Sequence, residues 1–169
     1  MNSLTTVLIV TLMISSLQAD QKADFLRAVE DGDIVSAAKP LGIDFTKVMK
    51  NCLDEHNKSR QVKSWKLLIW FYANGNFDGA AGEESWVVGA KLANLMPDER
   101  LAEIISKLHK EELEHLPFSL NLRFRYRDLS QAERIRIKAT NPALFHAMEL
   151  ERARYAKRGS PIEADSESN

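Results

Sequence analysis

The sequence predicts a single, mostly α-helical domain, bundle-like, with a central helical hairpin at residues 83–116. Apolar residues recur at intervals of three and four over most of the chain, which is the spacing of a buried helix face. Glycine or proline separates these periodic segments. With 169 residues, 44% of them hydrophobic, the chain is large enough to bury a core. Its single cysteine, Cys52, excludes an intrachain disulfide, so stability must come from packing.

The first 19 residues form an uncharged leader, apolar over residues 4–17. This stretch is shorter than the roughly 20 residues that a spanning helix needs. Small and polar residues ending at Ala19 suit the cleavage site of a secretory signal, although the basic start of such a signal is missing. We therefore expect a signal peptide at 1–19 and a secreted or periplasmic protein. An uncleaved membrane anchor and a buried first helix are the alternatives.

Four helices are expected between the leader and residue 74. Phe25 and Val29 mark the first, and Gly32 separates it from a second that ends near Pro40. Asp44 can cap a third helix, which we expect to run to about residue 56. Residues 60–73 are apolar enough to form a central helix. Its two tryptophans, Trp65 and Trp70, are expected to be core residues, and so is Trp86 in the following helix.

A glycine-rich loop at 74–82 precedes the hairpin, whose helices are expected at 83–96 and 98–116, the second interrupted by Pro117. Apolar and basic residues then alternate over 120–127, which favours a short β element within 119–138 whose second strand would contain Ile135 and Ile137. After residue 130 the sequence favours a helix instead, because Ser130 and Glu133 can form a capping box that opens one, with another helix from 142 to about 157. The domain would span 20–158, before an acidic tail at 159–169 that is too poor in apolar residues to fold.

Charge is distributed unevenly along the chain. Residues 118–158 carry ten basic and four acidic side chains, whereas residues 20–117 carry thirteen and seventeen. A concentrated basic segment favours an acidic macromolecule or protein as partner. The aromatic residues alternate with the arginines, which disfavours nucleic acid because bases are not offered a stacking surface. The predicted partner-binding residues are Arg123, Arg125, Arg127, Arg134 and Arg136.

Glu112 and His115 share the apolar stripe of the predicted helix 98–116. If the hairpin turns at Asp98, the residue opposite Glu112 is Glu84. One glutamate from one helix and Glu-x-x-His from the next form half of the site found in carboxylate-bridged di-metal bundles. This predicts, as an alternative function, an iron, manganese or zinc site formed by Glu84, Glu112 and His115. The chain has no second Glu-x-x-His, so the other half would come imperfectly from Glu55/His56 and His146/Glu149, or from a second copy in a symmetric homodimer.

A second alternative is DNA binding through residues 33–56, whose pattern resembles a helix-turn-helix unit with Gly42 at the turn. The acidic surroundings of this segment and the predicted export argue against it. No nucleophile elbow or phosphate-binding glycine loop is present, and Cys52 lies on an apolar helix face. The sequence therefore predicts binding of a macromolecule rather than catalysis, without a required cofactor. Contact with a membrane is expected only through an uncleaved leader.

Overall fold

The computed structural model of the chain describes residues 19–75, 77, 79–120 and 129–157. All regular structure in these residues is helical, which confirms the predicted class. Within this part of the chain, no helix combines the length and the apolar character needed to cross a membrane. The helices are α1 (19–30), α2 (Asp33–Ala38), a 3-10 helix (Lys39–Leu41), α3 (Phe45–Cys52), α4 (Lys58–Asn74), α5 (Gly79–Asn94), α6 (Asp98–Ile105), α7 (Lys110–Leu120), α8 (Gln131–Thr140) and α9 (Pro142–Lys157).

One apolar core connects the helices. Helix α7 packs against α4, α5 and α9, while α3 packs on α4 and α2 packs on α5. Helix α9 also contacts α6 and α8. Burial of aliphatic and aromatic side chains in such a core is the main favourable term in folding. The largest fully buried side chains are Trp65, Phe45, Phe71, Ile34, Met49, Leu68, Ile69, Leu92, Leu101, Ile104 and Leu116.

The N-terminal helices begin and end at the residues that their chemistry favours. Gly42 follows the 3-10 helix with φ +70°, the left-handed conformation typical of a helix end. The Asp44 side chain accepts a hydrogen bond from the Lys47 N–H and caps α3. Helix α3 stops at Cys52, earlier than predicted, because Asp54 accepts the His56 N–H in a turn and Asn57 then caps α4.

The hairpin differs from the prediction in its second arm. The expected helix at 98–116 is two helices, α6 and α7, separated by residues 106–109. The Lys107 and Leu108 N–H groups bond to carbonyls three residues back, which tightens the end of α6. Glu112 then accepts the His109 N–H and starts α7. Pro117 does not interrupt α7, which continues to Leu120 and is held by its packing on three other helices.

Of the two interpretations of 119–138, the helix after residue 130 is confirmed, and the alternative second strand is wrong. Ile135 and Ile137 lie in α8, not in a strand. The capping box explains the outcome: the Ser130 hydroxyl accepts the Glu133 N–H, and Glu133 accepts the Ser130 N–H at 2.9 Å. The two bonds satisfy the backbone N–H groups of Ser130 and Glu133, which have no backbone partner within the helix itself. In a strand, these groups would need a neighbouring strand as acceptor. The alternating residues 121–128 lie outside the described residues.

Candidate functional site

Glu84, predicted as a metal ligand, caps a neighbouring helix. Its Oε2 accepts the Ile34 N–H at 2.7 Å, at the start of α2. The carboxylate lies so close to Gly32 that a Cβ atom there would be 1.9 Å from Glu84 Oε1. The Glu84 charge also contributes, after burial, to raising the pKa of Tyr72, whose hydroxyl donates to the Ser85 carbonyl. Glu84 therefore has a structural partner on α2.

Glu112 and His115 lie on the first two turns of α7. Glu112 Oε2 accepts the His109 N–H at 2.7 Å and is 2.9 Å from Lys66 Nζ of α4. The cation and the helix start thus share one carboxylate oxygen. His115 is on the exposed side of α7. The stripe predicted for a single helix at 98–116 does not hold these two residues in the core, because α7 is a separate helix.

The described residues do not assemble a metal site from these side chains. Glu84 binds the start of α2, and Glu112 binds Lys66 and the start of α7, so each carboxylate has a different set of partners. Across the described ranges, no group of three or more His, Cys, Asp or Glu side chains is placed to hold a metal ion. The metal site at Glu84, Glu112 and His115 stays a prediction that these contacts do not support.

The predicted helix-turn-helix segment corresponds to α2, the 3-10 helix and α3, and α2 contacts α3. Two lysines on the exposed side of α3 would have to approach DNA, Lys47 and Lys50. Lys50 is 3.0 Å from Glu30 of α1, so half of this small positive charge is neutralised within the protein. DNA binding through this corner stays a prediction.

A buried polar network joins α3, α4 and α6, and sequence analysis missed it. Gln61 is fully buried; its Nε2 donates to the Cys52 carbonyl at 2.8 Å, and its Oε1 accepts from Arg100 Nε at 2.8 Å. Arg100 also binds Glu103. The network satisfies groups that would be costly to bury alone. Its signal in the sequence is the polar Gln61 on the apolar face of α4, four residues before Trp65.

Two further buried groups have reactive chemistry in principle. Cys52 has no exposed surface, and burial raises the pKa of its thiol well above the ordinary value, so its nucleophilic thiolate form is suppressed. Glu151 is fully buried on α9, on the face shared with Leu144 and Met148. A carboxylate in that position must be neutralised by a proton or a partner, and sequence analysis overlooked it. Neither group opens onto a surface at which a substrate could bind.

Of the predicted partner-binding arginines, Arg134 and Arg136 lie on α8, while the other three lie outside the described residues. Arg134 is partly buried, and its Nε donates to the Leu129 carbonyl. Arg136 is exposed, and so is Lys138, whose ammonium lies 5.6 Å from the centroid of the Phe145 ring. The structure thus brings Arg136 and Lys138 together on one short helix and turns Arg134 partly inward.

Trp70 is a surface residue, contrary to the expectation that it belongs to the core. Trp65 is fully buried, whereas 47% of Trp70 is exposed, together with 39% of Leu67. At 100° per residue, five positions rotate a side chain by about 140°, so Trp65 and Trp70 cannot share one face. The same helical geometry therefore buries one tryptophan and exposes the other.

Comparisons of the chain with protein-family models, with curated proteins and with solved structures found no match.

Proposed function

We propose that this protein acts by binding an acidic protein through the basic surface of α8. One observation carries the proposal: among the ten residues of α8, only Ile137 is buried. Most helical stability in proteins comes from packing of an apolar face. A helix that packs through one side chain leaves most of its surface to solvent or to a partner.

The exposed side chains of α8 have the composition of a contact surface. Ile135 is 62% exposed, the highest value among the large exposed hydrophobic residues described. Arg136 and Lys138 flank it. The helix contains three basic residues and one acidic residue, Glu133, which its capping bonds already engage. An apolar residue surrounded by arginine and lysine suits a partner that brings carboxylates around an apolar centre.

We also propose that the protein is exported and that cleavage follows Ala19. Helix α1 contributes Phe25 and Val29 to the core, and both follow the proposed cleavage site. Lys22, which pairs with Glu55, follows it as well. Cleavage would thus keep these contacts. The N-terminal residue of the mature protein in its native host tests the proposal: Asp20 supports export, and retention of Met1 contradicts it.

The binding surface can be tested with poly-L-glutamate as the acidic probe and fluorescence anisotropy as the measurement. The variant Ile135→Ser/Arg136→Gln removes an apolar and a basic side chain from α8. Val87→Ser/Lys91→Gln makes the matched change on the exposed side of α5, where Val87 is 50% exposed. We expect the α8 variant to bind about thirtyfold more weakly, because one charge and one apolar contact are each worth about 1 kcal/mol and about 1.4 kcal/mol corresponds to tenfold.

The matched α5 variant should bind within about twofold of the wild type. Equal losses in the two variants would show that binding follows the total charge, and no loss in the α8 variant would remove α8 as the contact surface. A double-stranded DNA oligomer in the same assay tests the alternative at α3. The helix-turn-helix function would replace the proposal if the wild type bound DNA, Lys47→Gln/Lys50→Gln did not, and neither the wild type nor any variant bound poly-L-glutamate.

A further inference from the structure

Helix α4 has an unusual charge composition. It contains four basic residues and no acidic residue: Lys58, Arg60, Lys63 and Lys66. Glutamates of other helices pair with two of them, Lys58 with Glu103 at 3.4 Å and Lys66 with Glu112 at 2.9 Å. Arg60 and Lys63 are exposed and take part in no ion pair among the residues that the structure describes.

The two unneutralised cations share a face with the two exposed apolar residues of the helix. Residues 60, 63, 67 and 70 are separated by three, four and three positions, so they form one row along α4. We call this row the α4 stripe: Arg60, Lys63, Leu67 and Trp70. It extends for about 15 Å at 1.5 Å per residue. The opposite face of α4 is fully used by the core, through side chains such as Trp65 and Leu68.

The α4 stripe runs from a cationic end to an apolar end. Leu67 and Trp70 expose 39% and 47% of their surface, while Lys66, beside the stripe, is already bound to Glu112. Tryptophan favours the boundary between water and hydrocarbon, because its ring is large and apolar and carries one N–H group. Lysine and arginine beside it are attracted to anionic headgroups. This combination is typical of helices that lie on a membrane surface.

We propose that the α4 stripe binds the surface of an anionic lipid bilayer, with Leu67 and Trp70 inserted between headgroups and Arg60 and Lys63 against lipid phosphates. A lipid surface is favoured over a folded partner because the stripe carries a tryptophan on the same row as its cations, the residue types that suit the hydrocarbon boundary and anionic headgroups, whereas α8 contains no aromatic residue. A bilayer needs no matched shape, since headgroups rearrange around the inserted residues. The attachment goes beyond the proposed function and involves a different helix from α8.

The test uses the full-length chain and co-sedimentation with two kinds of vesicle: pure phosphatidylcholine, and equal parts phosphatidylcholine and phosphatidylglycerol. We expect binding to the anionic vesicles that weakens as salt is raised, and little binding to the neutral ones. Tryptophan fluorescence should shift to shorter wavelength on binding, and Trp70→Phe should remove most of the shift. Absence of binding to anionic vesicles, or equal binding to both kinds, would overturn the proposal.

Two variants with matched controls separate the α4 stripe from the rest of the chain. Arg60→Gln/Lys63→Gln is compared with Lys47→Gln/Lys91→Gln, which removes two exposed lysines elsewhere. Leu67→Ser/Trp70→Ser is compared with Leu41→Ser/Val87→Ser, at residues of similar exposure. Each stripe variant should lose at least about tenfold in vesicle affinity, since each charge near the surface is worth about fivefold and each fully inserted large apolar side chain at least about tenfold. The controls should stay within about twofold.

Every outcome separates this proposal from the one for α8. Equal losses in a stripe variant and its control would place membrane binding elsewhere, for example in residues 1–19, and would overturn the assignment to α4. If the stripe variants lose poly-L-glutamate binding but keep vesicle binding, the stripe is a protein contact and the lipid proposal is wrong. Ile135→Ser/Arg136→Gln should leave vesicle binding unchanged whether or not α8 binds an acidic protein. Because all the substituted residues are exposed, the thermal midpoint of each variant should stay close to that of the wild type, and measuring it checks that the variant is folded.

Discussion

At the scale of single residues, Gly32 is restricted by a carboxylate from another helix. Its backbone, at φ −86° and ψ 152°, suits any residue, so no conformational need requires glycine. The restriction is space: an added Cβ would meet Glu84 Oε1 at 1.9 Å. The carboxylate is the end of a flexible side chain and would move, but it would then lose its bond to the Ile34 N–H.

We therefore expect Gly32→Ala to lower the free energy of unfolding by about 1 kcal/mol, the usual cost of a lost helix cap. In a Glu84→Ala background, the same substitution should be neutral or stabilising by up to about 1 kcal/mol, because alanine restricts the unfolded chain. A double-mutant cycle from urea unfolding measures the coupling. Gly42→Ala is the control, since φ +70° should make it destabilising in both backgrounds. Equal costs of Gly32→Ala in the two backgrounds would contradict this account.

Glu103 should make stability dependent on acid pH. Hydrogen bonds from Lys107 and then Arg100 lower the pKa of Glu103 from 4.5 to about 2. The folded state thus favours the ionised form, and the stabilisation is complete above the unfolded value and lost as pH falls through the folded one. The difference in thermal midpoint between wild type and Glu103→Gln should be largest at neutral pH and shrink between about pH 4.5 and about pH 2. Glu99→Gln, an exposed change on α6, is the control, and a difference that persists at pH 2 would be evidence against the ion pairs.

Single residues also show what the sequence could reveal of the candidate surfaces. The arginine pattern predicts a basic contact surface, and of its two described residues Arg136 is exposed while Arg134 is partly buried. Trp70 was assigned to the core because apolar type was given more weight than helical angle. The partners of Glu84 and Glu112 could not be read from sequence, because a main-chain N–H of another element leaves no mark in the residue pattern.

At the scale of elements, the stability of α8 should depend on its capping box more than the stability of the core helices depends on their caps. Only Ile137 is buried, so packing supplies little of its stability. We expect Ser130→Ala to cost about 1 kcal/mol, confined to α8, because the Ser130 hydroxyl and the Glu133 carboxylate act as a pair. Hydrogen exchange measures this: amides of 134–140 should exchange about fivefold faster, with those of α4 unchanged.

A matched substitution in α4 distinguishes local from global loss. Ser59→Ala removes an exposed serine from the first turn of α4, where Asn57 already supplies the cap, and should change neither helix. If Ser130→Ala accelerated exchange equally in α8 and α4, then α8 would unfold together with the core. The proposed role of α8 as a weakly packed contact surface would then lose its basis.

Element boundaries were predictable where caps decide them and less so where packing does. Asp44 and Ser130 are helix starts visible in the sequence, and both are confirmed. The break at 106–109 was missed because the apolar residues Ile104, Ile105 and Leu108 keep a helical spacing across it. The sequence predicts that Pro117 interrupts its helix, yet α7 continues to Leu120. The packing of α7 on three helices outweighs the one backbone hydrogen bond that proline cannot donate.

At the scale of the whole molecule, helices distant in sequence share one core, with α7 in contact with α4, α5 and α9. The helical class followed from the spacing of apolar residues, which each helix carries in its own sequence. The arrangement of the helices did not, since apolar faces are chemically alike and the spacing does not say which pair meets. The core also fixes which segments the fold requires, and α1 belongs to it through Phe25 and Val29.

This membership in the core leads to a prediction about the N-terminus. A chain that begins at Asp20 keeps Phe25, Val29 and the pair of Lys22 with Glu55, so its midpoint in urea should equal that of the full chain. A chain that begins at Asp31 loses both buried side chains and should be less stable by about 3 to 6 kcal/mol, at 1.5–3 kcal/mol for each. The second truncation is the control that shows the assay to be sensitive. If the Asp20 chain were also destabilised, residues 1–19 would be part of the fold, and their removal as a signal peptide could not be proposed.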